Sequence, residues 1–127
     1  MIPLKRGTIV DVDLDPTKGS ETGKVRPAIV VTNNIYNDRV PVIQVVPITE
    51  WSDKKAKIKT NVSIAPSPLN GLTKRSIADC LQTRPIDRRV RLIGIRGQLE
   101  TEIVAQIDEA LRIVFDLSSS SLNSECD

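Results

Sequence analysis

The sequence predicts a small, mainly β domain with helices (α+β), in which five to six antiparallel strands form a closed or nearly closed barrel with a C-terminal amphipathic helix packed on it. Three observations predict it. Apolar and polar residues alternate with period two in the first strand-like segment, β-branched runs recur between turn signals at regular spacing, and the period becomes helical only after residue 98. Closing the sheet would also remove exposed edges.

Residues 8–15, TIVDVDLD, place Val10, Val12 and Leu14 on one face and Asp11, Asp13 and Asp15 on the other, as a half-buried strand requires. The next segment, PTKGSETGK, is dense in Gly, Ser, Thr and charge and reads as a surface loop. RPAIVVTN is a second strand, with Pro27 at an edge or first-strand position because it lacks the N–H of a ladder donor. NNIYNDR is turn chemistry before a third strand in VPVIQVVPIT, and EWSDKKAK is loop-like. KIKTNVSI alternates again as a fourth strand, the Asn-Gly of SPLNGL turns the chain into a fifth at RSIADCLQ, and VRLIGIRG adds a short sixth. From Leu99, Ile103, Ile107, Ala110, Leu111 and Val114 recur at helical spacing, with Glu100 and Glu102 where the helix dipole favours negative charge. The helix ends near Leu117, so the folded domain is residues 1–117, and the serine-rich segment 118–127 has too little apolar content to order itself.

Composition narrows the chemistry. The chain has 127 residues, 39% hydrophobic and 27% charged, which fits one globular domain. Its net charge of +2 is too small for indiscriminate polyanion binding, but it is unevenly spread: residues 71–97 carry seven basic and two acidic side chains, and residues 98–127 one and seven. The basic stretch is the candidate anion-facing surface. No apolar run approaches the roughly 18–20 residues of a spanning helix, and MIPLKRG lacks a secretory apolar segment, so the expected location is cytoplasmic with no membrane partner. Cys80 and Cys126 lack zinc-site spacing and are expected as free thiols. The absence of histidine removes His-based triads and paired-His nucleases, leaving carboxylates, lysine, arginine, hydroxyls or thiols for any proton transfer.

The first loop gathers Lys18, Ser20, Glu21, Lys24 and Arg26 within nine residues. It is either a solvated loop or a site held by a rigid sheet. Arg26, directly before the apolar PAIVV run, is anchored to hold a phosphate bidentately or to pair with a strand carboxylate. Asp11, Asp13 and Asp15 stand roughly 7 Å apart along a strand, too dispersed to converge on a hard metal, so no metal site is assigned. Thr49 ends the third strand. Trp51 suits a stacking platform for a base or a lid over the barrel end. Arg75, Arg84, Arg88, Arg89, Arg91 and Arg96 offer planar forks for phosphates, although aromatic interleaving is nearly absent.

The segments RGTIVDVDLDPTKGSE, VRPAIVVTNN and VVPIT, in this order, resemble the MazF/PemK family of toxin endoribonucleases. The resemblance runs from about Lys5 to Leu117 and includes QTRPID and the terminal amphipathic helix. It implies an SH3-like, plasmid-maintenance-toxin barrel, a homodimer, and cleavage of single-stranded RNA at short sequences without a metal or other cofactor. Carried over by position, it places catalysis on Arg26 and Thr49, with Glu21 as acceptor of the 2′ proton. Substrate contacts fall on Lys18, Ser20, Trp51, Gln82 and Arg84. It further implies a cognate antitoxin whose acidic, apolar segment occupies the RNA groove over the basic 71–97 stretch. Thr8 stands where an acidic residue is common after RG, and the base-contacting loops match loosely enough that the cleavage sequence is not readable. The alternatives are a non-catalytic barrel that binds nucleic acid or protein, and a gyrase-targeting relative of the same fold.

Overall fold

The computed structural model describes residues 3–118. In chain order its elements are β1 (Thr8–Asp13), β2 (Val25–Val30), α1 (Asn34–Asn37), β3 (Val42–Glu50), α2 (Asp53–Ala56), β4 (Asn61–Ile64), β5 (Ser76–Asp79), a 3-10 turn (Cys80–Gln82), β6 (Arg84–Asp87), α3 (Arg88–Arg91), β7 (Leu92–Gln98) and α4 (Thr101–Phe115). All pairings are antiparallel, in the order β4-β5-β3-β2-β1-β7, with β6 also on β3.

Strands β1, β2 and β3 bury apolar side chains on both faces, which explains why the PAIV run of β2 is continuously apolar while β1 also alternates. Val10, Val12 and Leu14 join Ala28, Val30, Ile43, Val45 and Ile86 in one cluster. Ile9, Ile29, Val46 and Ile48, one residue out of phase on the same strands, join Ile107 and Ala110 of α4 in the other. The α4 helix lies against β4 and the 3-10 turn, and burying its Ile107 side chain contributes about 1.5–3 kcal/mol. Its C-cap, Asp116, adopts the left-handed conformation at φ 54°, and its backbone N–H bonds back to Ile113.

The strand inventory exceeds the expected five to six, because RPID forms β6. The chain from Ser76 to Asp87 runs along a single edge of β3, and the register slips between Ile48↔Ala78 and Ile43↔Ile86 by the three residues of the intervening turn. The expected closure is also corrected: the sheet is open. β4 and β7 do not pair, and the β4–β5 loop crosses the gap instead, where Gln98 donates its backbone N–H to the Leu69 carbonyl at 2.9 Å. A side chain at Gly97 would fall 2.5 Å from that carbonyl oxygen, so only glycine lets the loop close over β7. Two stretches expected as loop, NNIYNDR and EWSDKKAK, each contain one helical turn capped by Asn33 or Ser52.

Pro27 lies third in β2, a central strand, yet beyond the β2–β3 ladder, so among the described residues its strand neighbour at that level is β1. Cys80 is a free, buried thiol whose pKa is pushed up to about 12 by burial and then by the Asp79 charge. Cys126 and all but the first residue of the 118–127 segment lie outside the described residues. Among the described residues, no helix is long and apolar enough to cross a membrane.

Candidate active site

Period two and one ladder bring the central pair together. Arg26 shares a face of β2 with Ala28 and Val30, and Thr49 shares a face of β3 with Val45 and Pro47. The β2–β3 register pairs Ala28 with Pro47, and two residues further the same offset sets Arg26 opposite Thr49. Neither Pro27 nor Pro47 has an N–H, the ladder stops at that point, and β3 pairs with β5 instead, Thr49 lying opposite Ile77. Where the strands part, a cavity of about 720 Å³ opens, lined by Arg26 and Thr49 together with Ser20, Glu21, Lys24, Glu50 and Lys55.

Arg26 is held by its Nε, which donates to the Gly23 carbonyl at 2.6 Å. Among the described residues its terminal nitrogens make no hydrogen bond and it has no carboxylate partner, so the guanidinium that lines the cavity is not engaged there by other protein groups. That disposes of the strand-carboxylate pairing considered for it. A Cβ at Gly23 would lie 2.5 Å from an Asp15 carboxylate oxygen and 2.6 Å from the Thr17 hydroxyl, so a side chain there would displace both of these groups. Lys24 follows with φ 68°, its N–H donating to Asp15 Oδ1 at 2.9 Å. The Glu21 carboxylate accepts the Lys18 N–H at 2.7 Å, which fixes the tip of the loop; Lys18 itself is exposed and does not line this cavity.

The chain from the 3-10 turn to α3 pins the loop. Gln82 accepts the Thr22 N–H at 2.7 Å and donates its amide to the Ser20 carbonyl at 3.0 Å, so both ends of its amide serve the loop backbone. Arg84 donates to the Leu14 carbonyl at 3.2 Å, and Arg91 to those of Asp13 and Asp15 at 2.9 and 2.6 Å. Gln82 and Arg84 line a second, adjoining hollow of about 600 Å³ together with Ser20 and Glu21.

The basic 71–97 stretch is not one free anion-facing surface, and that expectation is corrected. Arg88 is buried against the Asn37 carbonyl and Asp38, Arg89 pairs with Asp87, Arg96 with Asp11 at 2.9 Å, and Arg75 stacks 3.7 Å above the Trp51 ring. These arginines act mainly as fasteners. Trp51 lies outside the cavity lining, with its indole N–H on Ser63 and one ring face covered by Arg75. The aspartates of the first strand are similarly engaged, with Arg96, the Asp15 N–H and the Lys24 N–H respectively.

Lys55 and Glu50 belong to the lining and escaped sequence reasoning. Lys55 reaches the site because α2 turns it back, its Nζ donating to the Glu50 carbonyl at 3.2 Å; the available signal was Ser52, three residues earlier, capping its N–H. The Glu50 carboxyl is held below its ordinary range by the hydrogen bond and charge of Lys74. The lining therefore carries Lys24, Arg26 and Lys55 against Asp15, Glu21 and Glu50, suited to a polar ligand with both anionic and hydrogen-bonding parts.

The model of the PemK-like, MazF-like toxins of type II toxin–antitoxin systems matches residues 5–115. The chain belongs to that family. This PemK/MazF-type toxin is 38% identical to endoribonuclease EndoA of Bacillus subtilis, over 87% of this chain and 92% of that one. Its fold is similar to crystalline MazF of Deinococcus radiodurans, with a TM-score of 0.78 and 21% identity over 92% and 100% of the two chains. It is also similar to a mycobacterial endoribonuclease solved in complex with its cognate antitoxin, at TM-score 0.70 and 21% identity over 90% and 96%.

Proposed function

We propose that this toxin-family chain is an endoribonuclease that cuts single-stranded messenger RNA at short sequences through attack of the ribose 2′-hydroxyl on the adjacent phosphate. One observation carries the reading: Arg26 and Thr49, from two different strands, line one cavity with the Arg26 terminal nitrogens unpaired among the described residues.

RNA supplies its own nucleophile, so the protein need only align it, neutralise phosphoryl charge and move protons. In the proposed step the 2′-oxygen forms a bond to phosphorus as the bond to the 5′-oxygen breaks. Glu21 accepts the 2′ proton, Arg26 bonds the non-bridging oxygens and protonates the departing 5′-oxygen, and Thr49 donates its hydroxyl to a non-bridging oxygen. The products are a 2′,3′-cyclic phosphate and a 5′-hydroxyl. An unpaired strand is required, because a duplex holds the 2′-hydroxyl out of line with the leaving oxygen and hides the base edges. Ser20, in both hollows, and Lys18 at the loop tip meet the flanking nucleotides, with Gln82 and Arg84 shaping the second hollow.

The family and the antitoxin-bound relative support a cognate antitoxin as second partner. A homodimer is supported by Ile93 and Ile95, which project from the edge strand β7 into solvent, 60% and 47% exposed, and would be covered by a second copy.

Long RNA incubated with the protein in EDTA should yield discrete fragments bearing those ends. Arg26→Ala should bind RNA while cutting about 10²–10³-fold more slowly. Full activity in that variant overturns the assignment, and RNA that is bound but left intact by the wild type favours a binding-only barrel.

A further inference from the structure

Arg26, Thr49 and Glu50 line a second cavity as well, of about 280 Å³, on the far side of the ridge they form. Its remaining charged lining residues are Lys74 and Arg96, over a floor that includes the buried Ile48 and Leu72. The two sides differ in charge. The larger cavity balances three cations with three carboxylates, whereas the smaller is lined by Arg26, Lys74 and Arg96 with Glu50 as its one carboxylate, Asp11 outside the lining pairing with Arg96 and leaving a smaller excess of positive charge. A strand that presents one phosphodiester to the ridge must run on to either side of it. Phosphates position a nucleic acid, while base edges are read by hydrogen-bonding groups. The excess positive charge suits the backbone, and the hydroxyls and loop amides of the larger cavity suit the bases.

We infer that the smaller cavity is a phosphate-binding subsite for the linkage adjoining the scissile one, with Lys74 as its principal contact. This rests on the nuclease reading above and deepens it. In the free protein Lys74 pairs with Glu50, both side chains being well exposed at 63% and 74%. An exposed pair of this kind contributes little to stability and yields readily to a phosphate. Arg96 is held more firmly: its Nε bonds Asp11 at 2.9 Å and its Nη1 the Gly71 carbonyl at 3.1 Å, which presents the remaining amino group from a fixed position. Glu50 thus acts as a place-holder that substrate displaces.

The test uses the full chain and oligonucleotides centred on a mapped cleavage site, with one ribose at the cut and a neutral methylphosphonate at the linkage before or after it. Lys74→Ala should raise KM about fivefold to tenfold and lower the salt slope of log KM by about 0.7, the value of one contact on a single strand. In the wild type, neutralising the correct flanking linkage should raise KM similarly; in Lys74→Ala the same substitution should have no further effect. Glu50→Gln, which releases Lys74, should lower KM. Lys74→Gln serves as a second variant, with thermal unfolding like the wild type as the check on folding. A Lys74 variant with wild-type KM and salt slope overturns the subsite, and so does one that still responds to the flanking methylphosphonate as the wild type does. A wild-type protein that cuts no RNA at all overturns the nuclease reading and this subsite together.

Discussion

Replacing Gln82 separates two roles that one side chain could have, reading a base or holding the loop that forms the site wall. Its amide makes two hydrogen bonds to loop backbone, to the Thr22 N–H at 2.7 Å and the Ser20 carbonyl at 3.0 Å, across sixty or more residues of sequence. Each such bond contributes about 0.5–1.5 kcal/mol net, and the Ser20 bond is exposed, which puts the pair at about 1–2 kcal/mol. This stabilisation belongs to the loop rather than to the whole fold, so Gln82→Ala should leave the thermal midpoint nearly unchanged. Amide hydrogen exchange at Thr22 is the direct assay: about 1–2 kcal/mol corresponds to roughly fivefold to thirtyfold faster exchange, a factor of ten per 1.4 kcal/mol. Gln82→Glu keeps the acceptor for Thr22 and loses the donor to Ser20, and should fall between. Cleavage by Gln82→Ala should weaken without a change in the sequence that is cut. Unchanged exchange at Thr22, or retained rate with altered sequence preference, would refute the loop-holding argument and return Gln82 to direct base contact.

Two further outcomes follow from the pKa directions. Glu100 is held below its ordinary value, chiefly by the Ser67 hydroxyl at 2.6 Å and also by Asn70, so its contribution to stability is complete above the unfolded value near 4.5 and is lost as pH falls through the lower folded value. The difference in thermal midpoint between wild type and Glu100→Gln should therefore be largest near neutrality and shrink on acidification below about pH 4.5; a difference independent of pH would refute it. Cys80, buried and with its thiol pushed up to about 12, should resist iodoacetamide at pH 8 and react once the chain is unfolded, as read by the mass of its peptide.

What the sequence disclosed was whatever repeats over several residues. Val10, Val12 and Leu14 announce β1, and the stripe from Ile103 to Val114 announces α4, because burial of one face imposes a period. β6 was missed because RPID has four residues with a proline among them, too short for any period, and it holds its place by pairing with β3. The one-turn helices α1 and α2 were missed for the same reason. At the site, Arg26 and Thr49 were legible from the resemblance and their positions at strand ends. Lys55 was not, since its place depends on a cap and a turn. The arginines of 71–97 show a further limit: composition counts charges but not whether a carbonyl elsewhere in the chain has claimed them, as those of Leu14, Asp13 and Asp15 have claimed Arg84 and Arg91.

The partner exchange along β3 has an evolutionary corollary. Its Val45–Pro47 portion is locked to β2 and its Ile48–Glu50 portion to β5, so the spacing of guanidinium and alcohol is inherited from backbone geometry rather than from the neighbouring coils. Under the proposed function, changes in residues 14–24 would act on Glu21 and on the loop that walls the cavity, while the strand positions of Arg26 and Thr49 stay put. The spacing of that pair and the shape of the wall around it are thereby set by separate parts of one short polypeptide.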